Sequence, residues 1–279
     1  MKNFITRAIT AIVYVVLLVG CTVWNPISSF LFFALVAGAT IFEFCTVVNN
    51  HYDASVNRSM NAMAAVILCG VVWEWKIGMG DYSQMMALYG FTMLYMIIME
   101  LYRKEEDAIK NWALAFAAQI YVALPFALIP LISVRYDATV SGLSYEWIYP
   151  LSVFIFLWMS DTGAYLVGSL LGKYIPYKLF PRISPNKSWV GSIGGGLLAL
   201  AAAAVIWHFV HGLELIEWLG LALVVTVFGT WGDLVESLIK RQLGIKDSGN
   251  ILPGHGGLLD RFDSALVAIP AAVIYLALI

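Results

Sequence analysis

The sequence predicts an all-α, polytopic integral membrane protein with about nine transmembrane helices and a cytoplasmic N-terminus. Of its 279 residues, 61% are hydrophobic and only 12% are charged, whereas soluble domains are about half apolar and a quarter charged. Apolar runs long enough to cross a bilayer, which takes ~20 residues, recur along the whole chain. Lysine and arginine are concentrated in the connections that would lie on one side of the membrane, as the positive-inside rule requires.

The hydrophobic runs define the order of the elements. The predicted spans are 6–24, 27–48, 59–75, 84–102, 112–133, 147–171, 189–210, 214–238 and 264–279. The first follows a basic start, but no small-residue cleavage site comes after it, so we expect a retained helix rather than a signal peptide. With the N-terminus inside, 14 of the 16 basic residues face the cytoplasm, and only Lys76 and Arg135 do not.

This layout suggests that the two halves of the chain have different functions. We expect residues 1–150 to form a scaffold that contacts lipid and a second copy, and residues 151–279 to form a catalytic membrane region. The two connections 172–188 and 239–263 would both lie in the cytoplasm and would carry the site. The net charge of −2 provides no basic field for nucleic acid, so no nucleic-acid partner is expected.

A polar stripe ends the eighth span. It has helical spacing and consists of Asp233, Glu236, Ser237, Lys240 and Arg241. A solvated helix end with ion pairs would explain the two basic residues. Asp233 is different because it follows a long apolar run, and an acid at the bilayer centre costs about 2.5–3.5 kcal/mol. A bound cation or a basic partner would offset that cost.

A second polar element precedes the last span. Glycines and a proline make a helix unlikely through 253–257, so His255 should lie on a turn whose amides can approach phosphate oxygens. Asp260 and Asp263 follow with i, i+3 spacing where a new helix should begin. Capping would explain one aspartate; two aspartates near a glycine turn and basic groups favour Mg²⁺-assisted phosphoryl chemistry.

A third element combines the sixth span with the connection after it. Asp161 lies within the span, and an intramembrane acid is a functional candidate by default. Gly168 and Gly172 are better explained by close helix packing. The connection adds Lys187 with the hydroxyl groups of Ser184 and Ser188. Glu43 and Glu100 lie toward the cytoplasmic ends of spans two and four and are interpreted as acids that snorkel to the interface.

The segment 237–263, SLIKRQLGIKDSGNILPGHGGLLDRFD, resembles the C-terminal signature of the phosphatidate cytidylyltransferases, also called CDP-diacylglycerol synthases. The Asp161-x-x-Ala-Tyr-x-x-Gly and Ser-Pro-x-Lys-x-Trp-x-Gly elements are similar to two further landmarks of that family, so the resemblance covers about residues 157–279. The sequence departs from it at SPNKSWVG, where Asn186 and Val190 replace the lysine and glutamate of the common SPKKTWEG.

The resemblance implies transfer of CMP from CTP to phosphatidic acid by a homodimeric enzyme of the bacterial cytoplasmic membrane, with its site facing the cytoplasm. It implies a divalent metal, which we take as Mg²⁺, and often a monovalent cation such as K⁺. Asp233 and Asp260 match metal-binding positions, and Asp263 is adjacent. The remaining candidates for catalysis or substrate binding are Asp161, Ser184, Lys187, Ser188, Ser237, Lys240, Arg241, Lys246, Asp247, His255, Gly256, Gly257 and Arg261.

Two other functions remain open at this stage. One is a different membrane enzyme that uses CTP, such as a polyprenol kinase or an archaeal-type lipid cytidylyltransferase, which would differ in the acceptor. The other is a cation-coupled transporter with Asp161 and Asp233 in its ion path. A transporter would spread polar residues through the membrane midplane and show repeats, whereas here the polar residues cluster toward one face.

Overall fold

The computed structural model describes residues 2–78, 81–104, 107–137, 142–210, 212–249, 251–254 and 256–279. Within these ranges, nine helical segments are long and apolar enough to cross a membrane. They begin and end within a few residues of the predicted spans, except that the eighth continues to Leu243 and the ninth begins at Leu259. The prediction of an all-α, polytopic membrane protein is therefore confirmed.

The helices follow one another with short connections. In chain order they are α1 (Lys2–Trp24), α2 (Pro26–His51), α3 (Arg58–Ile77), α4 (Tyr82–Met99), α5 (Ala108–Ala118), α6 (Leu124–Ala127), α7 (Ile129–Ser133), α8 (Ile148–Leu171), α9 (Trp189–Phe209), α10 (Leu215–Leu243) and α11 (Leu259–Leu278). A 3₁₀ turn, Glu100–Tyr102, continues α4. A π-helical turn, Gln119–Ala123, joins α5 to α6, so that α5–α7 form one span.

Two antiparallel hairpins interrupt the helices, and the sequence patterns did not predict either of them. The first pairs β1 (Val134–Asp137) with β2 (Gly142–Tyr145), in the register Val134 opposite Tyr145. The second pairs β3 (Lys178–Phe180) with β4 (Ser184–Ser188), and it holds the connection between α8 and α9 in a fixed shape.

Side-chain caps explain where several helices begin. The Asn25 side chain accepts a hydrogen bond from the Ser28 amide at 2.9 Å, and the following proline suits the first helical position. Asn57 and Asp107 cap α3 and α5 in the same way. Ser188 ends β4 and caps α9 by accepting from the Gly191 amide at 3.2 Å. Such caps satisfy amides that have no partner within the helix.

The chain divides into two compact units. The first comprises Met1–Trp147 and Leu243–Phe262, and the second comprises Ile148–Gln242 and Asp263–Ile279. In the first unit the core is aromatic: Phe126 lies edge-on against Phe262 with ring centroids 5.2 Å apart, and it stacks with Phe33 at 6.5 Å. All three side chains are almost completely buried. The second unit contains α8, β3, β4, α9, most of α10 and most of α11.

Within the second unit, α8 and α9 pack closely against each other. A Cβ added at Gly195 would lie 2.5 Å from the carbonyl oxygen of Ser160, and one at Gly163 would lie 2.7 Å from that of Gly194. A Cβ added at Gly168 would lie 3.6 Å from the Gly191 Cα, which is an ordinary van der Waals contact. Packing through small residues brings backbones together in this manner within membranes.

Candidate active site

Three carboxylates of the second unit form a tight cluster. Asp233 and Glu236 lie one turn apart on α10, and Asp263 lies near the start of α11. One carboxylate oxygen from each lies within 4.8 Å of the others, and among the described residues this is the group of acids that can hold one metal ion. Glu236 is completely buried, whereas Asp233 and Asp263 are half-buried. The cluster therefore has an inner and an accessible side.

A glycine brings the two helices of this cluster together. Gly232 is buried next to Asp233, and a Cβ added there would lie 2.7 Å from the Asp263 carbonyl oxygen and 3.0 Å from the Ser264 Cα. Only a residue without a side chain allows α10 to approach the α11 backbone this closely. The spacing of Asp233 and Asp263 thus depends on Gly232.

Lysines pair with two of the three acids. Lys187, on β4, forms an ion pair with Asp233, and Lys240 forms one with Glu236 four residues before it on α10. Ser237 also donates a hydrogen bond to Asp233 Oδ1 at 3.2 Å. A buried carboxylate requires such a partner because desolvation of an unpaired charge is costly. The two lysines offset two of the three negative charges of the cluster.

A cleft of about 370 Å³ lies beside the cluster within the second unit, which is within the usual range for small-ligand sites. Asp161 and Tyr165 from α8 line it together with Lys187 and Ser188 from β4. The rest of its wall consists mainly of glycine, alanine, serine and threonine residues, so backbone and hydroxyl groups are accessible. Asp161, the intramembrane acid of the sixth span, therefore shares a cavity with the basic residue that pairs with Asp233.

The glycine turn of the signature segment lies in the first unit. Gly254 and Gly256 have positive φ values of 76° and 81°, and the Leu252 amide donates to the Gly256 carbonyl at 3.0 Å, which closes a tight loop. Asp260 Oδ2 accepts hydrogen bonds from the Gly257 amide and from the Ser248 amide, each at 2.9 Å, and the Ser248 hydroxyl oxygen lies 3.0 Å from it. The described residues of the predicted turn at 253–257 are not helical, and α11 begins at Leu259, next to the helix start expected around Asp260.

The other predicted site residues are distributed over both units. Ser184 lies half-buried on β4, and the Arg241 guanidinium donates to the Ile183 carbonyl at 3.4 Å in the same unit. Lys246, Asp247 and Arg261 are exposed in the first unit. His255 lies outside the described residues. Asp260 is not among the three acids of the cluster, so its predicted metal ligation stays a prediction.

Two acids, Glu236 and Glu43, were not predicted as site residues from the sequence. Glu236 belongs to the polar stripe, and its position three residues after Asp233 could have indicated that it lies in the same cluster. Glu43 was interpreted as snorkelling, but its side chain is buried and accepts hydrogen bonds from the signature segment, so that interpretation is wrong. Its partners follow it by more than 200 residues, and local pattern carries no information about such a contact.

The donor set of the cluster fits a hard divalent cation. All three potential ligands are carboxylate oxygens, and neither histidine nor cysteine belongs to the group. Oxygen-only sets of this kind suit Mg²⁺, which keeps several waters and binds through one or two carboxylates together with substrate phosphates. The accessible side, with Asp233 and Asp263, could supply those ligands.

Comparisons with known proteins agree with this chemistry. Residues 5–279 match the cytidylyltransferase family. A phosphatidate cytidylyltransferase of Staphylococcus aureus (strain COL) is 37% identical over 195 residues, which cover 68% of this chain and 70% of the relative. One from Staphylococcus epidermidis is 38% identical with the same coverage. One from Staphylococcus haemolyticus is 50% identical over 124 residues, or 44% of this chain and 46% of the relative.

Proposed function

The chain belongs to the cytidylyltransferase family, and we propose that it transfers CMP from CTP to phosphatidate, forming CDP-diacylglycerol and pyrophosphate. The relatives that bear this activity in their names cover about two thirds of the chain. The observation that carries the proposal is the acidic cluster of Asp233, Glu236 and Asp263 with its paired lysines, beside a cleft lined by small and hydroxyl residues.

The reaction needs little proton transfer, but it requires strong stabilisation of the negative charge on the phosphates. A phosphate oxygen of phosphatidate attacks the α-phosphorus of CTP; the new P–O bond forms as the bond to the bridging oxygen breaks and pyrophosphate leaves. The nucleophile is already anionic, so no strong base is required. Catalysis of such a step consists mainly of positioning and of electrostatic stabilisation.

The residues of the second unit suit these tasks. Asp233 and Asp263 would hold Mg²⁺, with Asp260 as a further candidate, and the bound ion would neutralise phosphate charge and orient the triphosphate. Lys187 and Lys240 would exchange part of their pairing with the acids for contacts to phosphate oxygens as substrate arrives. Ser188, which lines the cleft and whose hydroxyl oxygen accepts from the Gly191 amide, would donate a hydrogen bond through its hydroxyl proton.

Further residues would complete phosphate binding. We propose that Arg241, Lys246 and Arg261 together bind the triphosphate, the lipid phosphate and the departing pyrophosphate. No single residue is assigned to a single phosphate. His255 would donate a hydrogen bond to phosphate rather than act as a base, while Ser184, Ser237, Asp247, Gly256 and Gly257 would shape the substrate site.

The chain is an integral membrane protein, and one substrate is a lipid whereas the other is a water-soluble nucleotide. The site must therefore lie near a membrane surface, and we propose the cytoplasmic face of a bacterial cytoplasmic membrane, where CTP is available. A homodimer and a requirement for a monovalent cation such as K⁺ are also proposed. The mass of the detergent-solubilised protein and activity in K⁺-free buffer test these two points.

The direct test uses CTP labelled at the α-phosphate. Purified protein incubated with phosphatidate, Mg²⁺ and this nucleotide should incorporate label into the lipid fraction. CTP labelled at the γ-phosphate should instead release label as pyrophosphate. Transfer of the γ-label to lipid would identify a CTP-dependent kinase, and no lipid label from either nucleotide would refute the proposal.

Variants connect the activity to the cluster. Asp233→Asn should reduce CMP transfer by at least about 10³-fold, because a lost charge-stabilising group typically costs 10²–10³ and the metal would also be lost. Asp107→Asn is a suitable control, since Asp107 is an exposed helix cap outside the site. Full activity in Asp233→Asn would contradict the assigned role.

A further inference from the structure

A buried acid of α2 contacts the signature segment. Glu43 is 5% exposed, and both of its carboxylate oxygens accept hydrogen bonds from residues more than 200 positions later. The Leu258 amide donates to Oε2 at 2.9 Å, and the Leu259 amide donates to Oε1 at 3.0 Å. The Ser248 hydroxyl donates to Oε1 at 2.6 Å. All of these residues belong to the first unit.

These bonds cap α11 from another helix. The first amides of a helix have no partner within it, and α11 begins at Leu259. A carboxylate at this end satisfies two of these amides and interacts favourably with the helix dipole. An amide buried without a partner is costly, so the contact with Glu43 stabilises the first turn of α11.

Two glycines of the signature segment fit around this carboxylate. A Cβ added at Gly257 would overlap Glu43 Oε1, and one at Gly249 would lie 2.8 Å from Oε2. A larger residue at either position would therefore displace the Glu43 carboxylate from its hydrogen bonds. Glycine at these positions is thus explained by the acid that occupies the space.

Ser248 connects Glu43 to the predicted metal ligand of this segment. Its hydroxyl lies 2.6 Å from Glu43 Oε1 and 3.0 Å from Asp260 Oδ2, and its amide also donates to Asp260 at 2.9 Å. The Gly257 amide donates to the same Asp260 oxygen. Glu43 and Asp260 therefore both bind this segment, and Ser248 is the partner that they share.

We infer that Glu43 is a positioning residue for cytidylyl transfer, which fixes the signature loop and the first turn of the helix that carries Asp260 and Asp263. The inference rests on the proposed function for its catalytic consequence. Glu43 touches no reacting atom in this role; it acts through the backbone of residues 257–259 and through Ser248.

Glu43→Gln is the sharpest perturbation, because it keeps the shape of the side chain. Whichever way the amide is oriented, its NH₂ group faces a backbone N–H, either that of Leu258 or that of Leu259. One of the two caps is therefore lost, together with the negative charge. Glu43→Asp keeps the charge at a shorter reach and should restore part of the function.

Glu100→Gln provides a matched control. The Glu100 side chain is 8% exposed in the same unit, and it is bound by Arg103 at 3.2 Å and by the Asn111 amide group at 3.0 Å. Removing its charge disturbs a comparable buried network, whose contacts among the described residues lie with Arg103 and Asn111 rather than with the signature segment. A general loss of stability would affect both variants alike.

Two measurements separate positioning from stability. Hydrogen exchange should accelerate by at least about tenfold at the amides of residues 257–259 in Glu43→Gln and not in Glu100→Gln. At a temperature where both variants are folded, the half-saturating Mg²⁺ concentration for CMP transfer should rise at least about fivefold in Glu43→Gln alone, with kcat reduced and partial recovery in Glu43→Asp.

The outcomes are distinguishable. Faster exchange with unchanged kcat and Mg²⁺ dependence, or equal kinetic effects in Glu43→Gln and Glu100→Gln, would overturn the positioning role. Wild-type protein that transfers no CMP would refute the proposed function, whereas the exchange experiment would still test the anchor. If Glu43→Gln does not fold, Ser248→Ala removes one bond of the network and should shift the same two measurements by smaller factors.

Discussion

The Gly232→Ala substitution tests how the acidic cluster is assembled. The added Cβ would lie 2.7 Å from the Asp263 carbonyl oxygen and 3.0 Å from the Ser264 Cα. Both neighbours are backbone atoms, so no side chain can rotate away to make room. To reach ordinary contact near 3.4 Å, α11 must retreat from α10 by about 0.7 Å. Asp263 moves with that backbone while Asp233 stays on α10.

The magnitude follows from two terms. Overpacking costs about 1–3 kcal/mol, whereas alanine in place of glycine within a helix gains about 1 kcal/mol. The catalytic effect should be larger, because a misplacement of about 1 Å can cost 10²-fold in rate. We therefore expect CMP transfer to fall by about 10- to 100-fold with a stability change of at most about 2 kcal/mol.

Gly196→Ala is the matched control, since its Cβ would meet only Thr226 Cγ2, at 3.9 Å in the same unit. Activity with labelled CTP and the thermal unfolding midpoint in detergent should be measured for both variants. Gly196→Ala should equal or exceed the wild-type protein in stability and retain its activity. Unchanged activity in Gly232→Ala, or equal losses in both variants, would refute the idea that close helix approach sets the cluster.

Three further predictions concern the same cluster. Ser237→Ala should lower kcat by about tenfold, because Asp233 loses one orienting hydrogen bond worth about 1.5 kcal/mol, the lower end for a bond to a charged group; an unchanged kcat would contradict this. Glu236→Gln should destabilise the protein by about 3 kcal/mol in unfolding measurements, the lower end for a broken buried pair, since Lys240 retains 17% exposure. Removal of divalent ions with EDTA should abolish CMP transfer, and added Mg²⁺ should restore it; activity that persists in EDTA would exclude the metal role of the cluster.

Hydropathy alone was sufficient for the membrane architecture. The nine predicted spans correspond to the nine segments found among the described residues, because a bilayer demands about 20 consecutive apolar residues wherever the chain crosses. Local chemistry also indicated the glycine turn before α11, since a proline and three glycines make a helix unlikely at 253–257, and Gly254 and Gly256 have positive φ values. The residue spacing together with the family resemblance predicted Asp233, Asp260 and Asp263 as metal ligands, which stays a prediction.

Only the tertiary structure selected the partners of these residues. Sequence spacing predicted that Asp260 and Asp263 lie on one helix. The acidic cluster instead combines Asp263 with Glu236 and Asp233, because Gly232 allows the backbones of α10 and α11 to approach closely. The contacts of Glu43 could not be predicted from the sequence either. Periodicity indicates which face of a helix or strand is apolar, but it does not predict which distant backbone amides will donate to a buried carboxylate. That choice is made when helices far apart in the chain pack together.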